Sequence, residues 1–521
     1  MSASRRSRLL AGVLTLTAAL TASACSGGGD APQTDSNTIT VMAKLFGTAP
    51  DPNGEMQQAV EKFLGKKLKV NWVPNAEYTD KLNVTFASSN LPQVMVVDPH
   101  LPGFVKAAQA GAFWDLTDKL DKYPNLKAAD PRSALNSSIN GKIYGLYRMR
   151  PSLRSAVMIR KDWLDKLGLK LPETVDDLYD IAKAFTEKDP DGNGKKDTYG
   201  LIIPKWPGNY ASASPYDVVE TWFGAPNEWG ERNGKLVPGF DTPEFLEANK
   251  FLKKMVGEGL VNPDFATLDS AKWNDPFYLG KGGIIIDVNI RSRALLDKFR
   301  DEKDDPAFYG PKVAMVGNLK RSDGQKFSYP FTGYADVLAI SRQSVPTEQD
   351  LDNLLKTLDK LATKEGQVLL QNGIEGRNFK PEGDIAALIN ETDPKVEIVQ
   401  KDVDNAFTQL STKGTNDIGG LAYARTPSGQ PYKDMLKLQK ELMEEDLKTA
   451  VFNPALPVVS PTKVARGAQI DTIIPDARIK FLSGEITEEQ LKGEIKRWYD
   501  SGGTQVAAEV NDLVSKLGKT N

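Results

Sequence analysis

The residues best equipped for chemistry lie together in Asp189-Pro-Asp-Gly-Asn-Gly-Lys-Lys-Asp197. Oxygen-bearing side chains recur at Asp189, Asp191, Asn193 and Asp197, positions 1, 3, 5 and 9 of an EF-hand calcium loop. Gly194 falls at position 6, where the sharp turn is needed, and Lys195 at position 7 offers its backbone carbonyl. A hard cation takes several oxygens from one tightly turned segment, and this segment supplies them. Position 12, a bidentate Glu in that pattern, is Gly200 here. The sixth ligand is therefore expected from Thr198, a distant carboxylate or water. The expected cofactor is a structural Ca2+ at Asp189, Asp191, Asn193, Lys195, Asp197 and Thr198. The plainer alternative is a polar turn without an ion.

Two elements must position that loop. Pro172-Glu-Thr174 opens a helix with Thr174 as cap, and Val175, Leu178, Ile181, Ala182 and Phe185 share one face. The helix runs straight into the loop, and Leu201-Ile-Ile203 leaves it as a strand.

A second chemical signal stands at the N-terminus. Arg5, Arg6 and Arg8 precede an apolar run, Leu9–Ala22. The run is shorter than the roughly 20 residues that span a bilayer. Ala22-Ser-Ala-Cys25 follows and resembles the lipobox of bacterial lipoproteins, with Ala22 where Leu is usual. Cys25 is the only Cys of the chain, and it is the expected lipidation site. The alternative is a plain secretory signal that happens to contain a Cys. Residues 1–24 then read as a signal peptide and 25–37 as a Gly/Ser-rich tether. The body is expected outside the cytoplasm, held to the cell membrane by the lipid alone.

Composition removes several classes. The chain has 521 residues, 40% hydrophobic and 26% charged, enough for two domains. Its formal net charge is −3, and the first 24 residues carry three Arg and no acid, so the body is more acidic still. Such a protein is a poor nucleic-acid binder. One Cys excludes an internal disulfide, and one His leaves no multi-histidine zinc site. No nucleophile signature of the G-x-S-x-G kind accompanies His100.

Along the body, strand and helix signals alternate. Ile39–Val41, Leu68–Trp72 and Val94–Val97 read as strands, with helices at Met56–Leu64 and near 79–88 between them. The order implies an open α/β sheet with right-handed crossovers, with Asp98 at a strand's carboxyl end and a cleft edge. Lys142–Arg148 and Ala156–Ile159 are strands broken by Met149-Arg-Pro-Ser152, a crossing between lobes. Gly283–Val288 ends at Asn289, and Phe331–Ile340 is a second crossing strand. Thr487-Glu-Glu-Gln490 is a capping box, and the last helix, Val506–Leu517, closes at Gly518. Aromatics crowd 204–280, including four of the eight Trp: Trp206, Trp222, Trp229 and Trp273. Sugars offer C–H faces to such rings, although any one ring could equally be core.

The chain resembles a bacterial extracellular solute-binding protein of an ABC importer, close to the lipoprotein branch that handles oligosaccharides and to alginate-binding proteins. The resemblance rests on Tyr78-Thr-Asp-Lys-Leu82 with Leu91-Pro92, Ile159–Leu169, the 189–197 loop, Asn372-Gly-Ile-Glu-Gly376 and Trp498–Gly503. It implies an α/β, two-lobed periplasmic-binding-protein-like fold of type II. The ligand is then held between lobes 38–150 plus 336–385 and 153–333 plus 395–521. Hinges are expected near 149–153, 333–337 and 380–400. The implied partners are an oligosaccharide and the membrane permease subunits, with the protein a monomer and no nucleic acid bound. Alginate-binding members carry calcium in the equivalent loop, with an acidic residue where this chain has Thr198. The expected ligand contacts are Trp206 and Tyr210 after the metal-loop strand, Trp222, Arg150 in the hinge, and Asn289 and Asp98 at strand ends. No enzyme activity is expected. The rival is a secreted glycoside hydrolase using Asp98 and Glu375 as its carboxylate pair. A binder of peptides or other solutes on the same scaffold is a further alternative.

Overall fold

Apolar strands form two principal sheets, and capped helices pack on them around the hydrophobic cores. The computed structural model describes residues 37–521, apart from 89, 128–129, 207, 209, 301–311, 414–423, 428–429 and 519–521. The described residues belong to one unit, Asn37–Asn521. Cys25, the segment 1–24 and the tether up to 36 lie outside them.

The N-terminal part contributes β1 (Thr38–Leu45), β2 (Lys67–Pro74), β3 (Val94–Val97) and β4 (Leu146–Met149). The chain then forms β5 (Ser155–Arg160), β6 (Tyr199–Leu201) and a hairpin of β7 (Trp229–Arg232) with β8 (Lys235–Pro238). β9 (Gly282–Val288) and β10 (Val313–Val316) follow, and β11 (Tyr334–Ile340) comes next. A small sheet joins β12 (Phe379–Glu382), β13 (Ile385–Leu388) and β14 (Ala424–Thr426).

The first lobe's sheet has the order β2-β1-β3-β11-β4 and the second lobe's β10-β5-β9-β6. β1 runs parallel to β2 and β3, while β11 returns antiparallel between β3 and β4. All four residues of β3 are buried, which is why its sequence is a continuous apolar run rather than an alternating one. In the second lobe β5 is likewise buried throughout, between β10 and β9.

The lobes are joined where strands leave one sheet for the other. Residues 150–154 link β4 to β5, and 317–333 link β10 to β11. The third crossing falls later than the expected 380–400. Helix Pro394–Asn405 and the turn after it bury Val399, Val403, Phe407 and Leu410 in the first lobe's core. The first lobe therefore extends past 410, and the boundary expected between 385 and 395 is corrected. The chain reaches the second lobe with helix Gln430–Leu447, whose Tyr432 and Met435 pack on Leu296. An amphipathic helix needs an apolar surface, but its periodicity does not say which core supplies it.

Two local features complete the frame. Thr174 caps helix Val175–Glu187 in a capping box with Asp177, as its sequence implies. Helices Glu488–Trp498 and Thr504–Leu517 are joined by a π-turn, Tyr499–Gly503, in which Gly502 has φ 130°. A Cβ on Gly503 would lie 2.1 Å from the Trp498 ring, so this turn requires glycine there. The last helix closes at Gly518 as expected, with φ −67° at that glycine.

Candidate ligand cleft and metal loop

A cavity of about 390 Å³ opens where the two crossing segments meet the second lobe. That is within the range of small-molecule sites, about 300–1,000 Å³. Four aromatic rings line it: Trp206, Tyr329, Phe331 and Phe452. Amides and hydroxyls alternate with the rings, from Asn136, Ser212, Asn227, Thr332 and Asn453, and its charged groups are Arg154, Glu228 and Asp287. Asn136 comes from the first lobe; the crossing segments supply Arg154 and Tyr329–Thr332.

Most of this lining is held by its own bonds. Trp206 Nε1–H donates to Ser212 Oγ at 2.7 Å, and its ring meets buried Trp273 edge-on, 6.0 Å between centres. Asp287 is ion-paired with Arg291, whose guanidinium lies 4.2 Å from the Trp273 ring centre. Arg154 lies 4.5 Å from the centre of Phe331, which stands perpendicular to Tyr329. Asn136 and Asn227 donate to the carbonyls of Thr332 and Pro330, at 3.0 and 2.9 Å. Burial pushes the Tyr329 hydroxyl well above its ordinary pKa. Flat rings beside fixed amides suit a ligand with both apolar faces and many hydroxyls.

Of the expected contact residues, Trp206 lines this cavity and the other five are placed elsewhere. Trp222 is 1% exposed in the second lobe's core, with Nε1–H donating to Asn318 Oδ1 at 2.8 Å. Tyr210 packs 5.1 Å from Phe240 and borders a smaller void near Trp229 and Trp498. Arg150 turns back onto the Met149 carbonyl, 2.9 Å away, and Arg154, four residues on, reaches the cavity. Asn289 is buried and its carbonyl accepts from Ser292 and Gln439, while Asp287 and Val288 just before it face the cavity. Asp98 caps the turn after β3 through the backbone N–H of His100. For Arg150 and Asn289 a near neighbour of the expected residue lines the cavity, and the irregular 150–154 segment and the end of β9 carry no periodicity that chooses between them. Glu228, Phe452 and Asn453 carried no sequence signal, because they lie in irregular segments that only the folded chain brings together.

Residues 49–368 match the model of the bacterial extracellular solute-binding proteins. This chain belongs to that family. It is 40% identical to Lipoprotein LipO of Bacillus subtilis (strain 168) over 488 residues, covering 92% of each chain. It is 33% identical to the Polygalacturonan/rhamnogalacturonan-binding protein YtcQ of the same organism over 475 residues, 91% of this chain and 90% of that one. Among solved structures, its fold is similar to an HMO-binding, ABC-transporter-associated solute-binding protein from Bifidobacterium longum infantis. There the TM-score is 0.68 at 21% identity, covering 92% of this chain and 99% of that one. The two principal sheets are thus those of a solute-binding protein of this family.

In this family member the Asp/Asn/Gly loop is closed upon itself. Asp189, with φ 48°, accepts the backbone N–H groups of Gly192, Asn193 and Gly194 at 2.9–3.1 Å. The Gly194 N–H and its companions hold the Asp189 carboxyl below the usual range. Asn193 Nδ2 donates to Asp191 Oδ2 at 2.6 Å and to Asp197 Oδ1 at 3.1 Å. Lys281 Nζ lies 2.5 Å from Asp197 Oδ2 and lowers that carboxyl's pKa. The loop's acidic oxygens thus surround donor groups, the arrangement a cation would replace, and an all-oxygen set suits calcium. Among the described residues no three His, Cys, Asp or Glu side chains are gathered tightly enough to hold a metal by themselves. Asn193 and the Lys195 carbonyl would therefore be needed as ligands. Thr198 drops out: it is buried and its hydroxyl donates to the Phe185 carbonyl at 2.8 Å.

Proposed function

We propose that this protein is the substrate-binding component of an ABC importer and captures an oligosaccharide between its lobes. The observation that carries this is the cavity at the crossing segments, with four aromatic faces and fixed amides around one space. Its relative YtcQ is named for binding polygalacturonan and rhamnogalacturonan, and the similarly folded Bifidobacterium protein for its ABC-transporter association. The protein acts by binding, closing and handing over, without breaking a bond. Closure is driven by the ligand's greater affinity for the closed form. We further assign Cys25 as the lipid attachment point, so that the body works tethered to the outer face of the cell membrane, as a monomer. LipO, its relative, is named a lipoprotein.

Calcium is assigned a structural part, with Asp189, Asp191, Asn193, the Lys195 carbonyl and Asp197 as its ligands. The ion would offset the repulsion of three carboxylates and fix the join between helix Val175–Glu187 and β6. The experiment for the main reading is a thermal-shift screen against a panel of plant, bacterial and host oligosaccharides. A ligand that binds only the folded form raises the melting temperature by mass action. At least one oligosaccharide should do so; a panel without any shift, beside a peptide mixture that gives one, would overturn the reading.

A further inference from the structure

Asp446 places a carboxylate where negative charge is least favoured. It is 1% exposed, and it stands at the C-terminal end of helix Gln430–Leu447, against the helix dipole. A charge buried in such a place persists only when it is paired and hydrogen-bonded. Lys326 Nζ at 2.8 Å and Ser328 Oγ at 3.1 Å both reach Oδ1. The backbone and side-chain N–H groups of Asn318 donate to Oδ2, at 3.2 and 2.7 Å. These contacts fill the roughly four acceptor positions of a carboxylate. The approach is close enough to restrict a neighbour: a Cβ on Gly317 would lie 2.9 Å from Oδ2.

Asn318 and Ser328 carry this hold to the cleft. Asn318 Oδ1 accepts the Tyr329 backbone N–H at 3.2 Å, and Ser328 immediately precedes Tyr329. The Ser328 main chain also pairs with the segment that follows the helix. Its N–H donates to the Thr449 carbonyl at 2.9 Å, and its carbonyl accepts from Val451 at 3.0 Å. Phe452 and Asn453 come next in the chain. Tyr329–Thr332 and Phe452–Asn453 all line the cavity, whereas Asp446 does not. Three of the cavity's four rings therefore stand on segments whose bonds gather at one carboxylate behind it. The fourth ring, Trp206, is fixed separately by Ser212.

We propose that Asp446 is a positioning residue of the ligand cleft, which sets the spacing of Tyr329, Phe331 and Phe452 by holding the 317–333 crossing against the 447–453 segment. This rests on the cavity being the ligand site, as read above. The two segments are distant in sequence and leave the network side by side, so a shift of either moves ring against ring. Fixing that spacing before a ligand arrives removes part of the ordering cost of binding. Asp446→Asn nearly keeps the volume, but it turns one acceptor oxygen into a donor facing groups that are themselves donors.

The test is calorimetric titration, well below the melting transition, with kestose, maltotriose, mannotriose, lacto-N-tetraose and trigalacturonate. Asp446→Asn should bind the wild type's tightest sugar about tenfold more weakly, the scale of one buried donor left unsatisfied. The milder Ser328→Ala should lose severalfold. The double variant should lose no more than Asp446→Asn alone, because both changes act through one network. Leu252→Ala, which opens a void on helix Pro243–Gly257 in the second lobe's core, controls for stability. Its melting temperature should fall while its affinity stays that of wild type. Wild-type affinity in both Asp446→Asn and Ser328→Ala would overturn the assignment, making the carboxylate merely structural, and would leave the oligosaccharide reading standing. Fully additive losses in the double variant would overturn it too. If none of the five sugars binds the wild type, and nothing does in the wider thermal screen, both readings fall.

Discussion

Trp206 and Trp222 look alike in the sequence, each in an aromatic-rich stretch, and the fold gives them opposite duties. Trp206 faces the cavity with its indole N–H secured by Ser212, and Trp222 is sealed in the second lobe's core against Asn318. Trp206→Ala should weaken sugar binding by about 1–3 kcal/mol with little change in melting temperature. Trp222→Ala should instead cost about 3–5 kcal/mol of stability, from a large buried void. Titration and denaturant melts of the two variants separate the cases, and the reverse pattern would refute the assignment. A second residue-level test concerns Arg478, buried with Asp217 at 2.9 Å and Glu220 at 3.1 Å. Two carboxylates share one guanidinium nitrogen, and burial pushes Glu220 up to about 7. The folded form therefore binds this proton more tightly than the unfolded chain, where the ordinary value is 4.5. Glu220's contribution to stability is largest at low pH and is lost as pH rises from about 4.5 through about 7. Glu220→Gln should raise the melting temperature at pH 8 relative to wild type and flatten the slope between pH 5 and 8. An identical slope in both proteins would show that Glu220 does not titrate there. The core role of Trp222 and the Arg478 triad were not legible beforehand, because each depends on partners far away in the chain.

At the scale of elements the sequence was far more informative, because capping and periodicity are local. The Thr174 cap, the Thr487 capping box and the buried β3 and β5 stand where their residues imply, and the break expected near 149–153 falls at 150–154. What failed was assignment between cores: Val399 and Val403 mark a buried helix face without saying that the first lobe buries it. The π-turn at Tyr499–Gly503 was also hidden, although the quoted Trp498–Gly503 motif contains its glycines. The 189–197 loop is the element whose chemistry can be tested directly. With calcium, Asp189, Asp191 and Asp197 become ligands; without it, their carboxylates accept from the backbone N–H groups of Gly192, Asn193 and Gly194, from the Asn193 amide and from Lys281. At about 100 times its dissociation constant, an ion that binds only the folded form adds about 2.7 kcal/mol. Chelation should therefore lower the melting temperature, and Asp191→Ala should remove that sensitivity. Sugar affinity should change little, because none of the loop's residues lines the cavity. A chelator without effect, together with no metal on elemental analysis, would reduce the loop to a turn.

For the whole molecule the question is what holds the lobes at their present separation. Among the described residues, no helix is long and apolar enough to cross a membrane, and the proposed anchor is Cys25. Cys25→Ser should release the protein into the medium, and a variant still held at the membrane would remove that anchor from the account. Two kinds of contact bridge the lobes away from the crossing strands. Asn140 N–H and the Ser138 hydroxyl reach the Pro457 carbonyl, at 3.0 and 3.4 Å. On the cavity rim, Arg132 of the first lobe's helix Pro131–Asn136 lies 3.6 Å from the ring centre of Phe452. Phe452 belongs to the segment that pairs with Ser328 in the 317–333 crossing, through Val451 N–H at 3.0 Å. The Arg132–Phe452 contact therefore exists only when the lobes are this close. An exposed cation–π pair contributes about 0.5–1 kcal/mol, a small bias that still shifts a two-state opening equilibrium. Arg132→Ala should move the ligand-free population toward the open form and weaken sugar binding about two- to fivefold, since the ligand must then supply that closing energy. Small-angle scattering should show a larger radius of gyration for ligand-free Arg132→Ala than for wild type. At saturating ligand the two radii should coincide, because the bound form closes either way. A variant with wild-type dimensions and wild-type affinity would mean that the pair does not hold the lobes together.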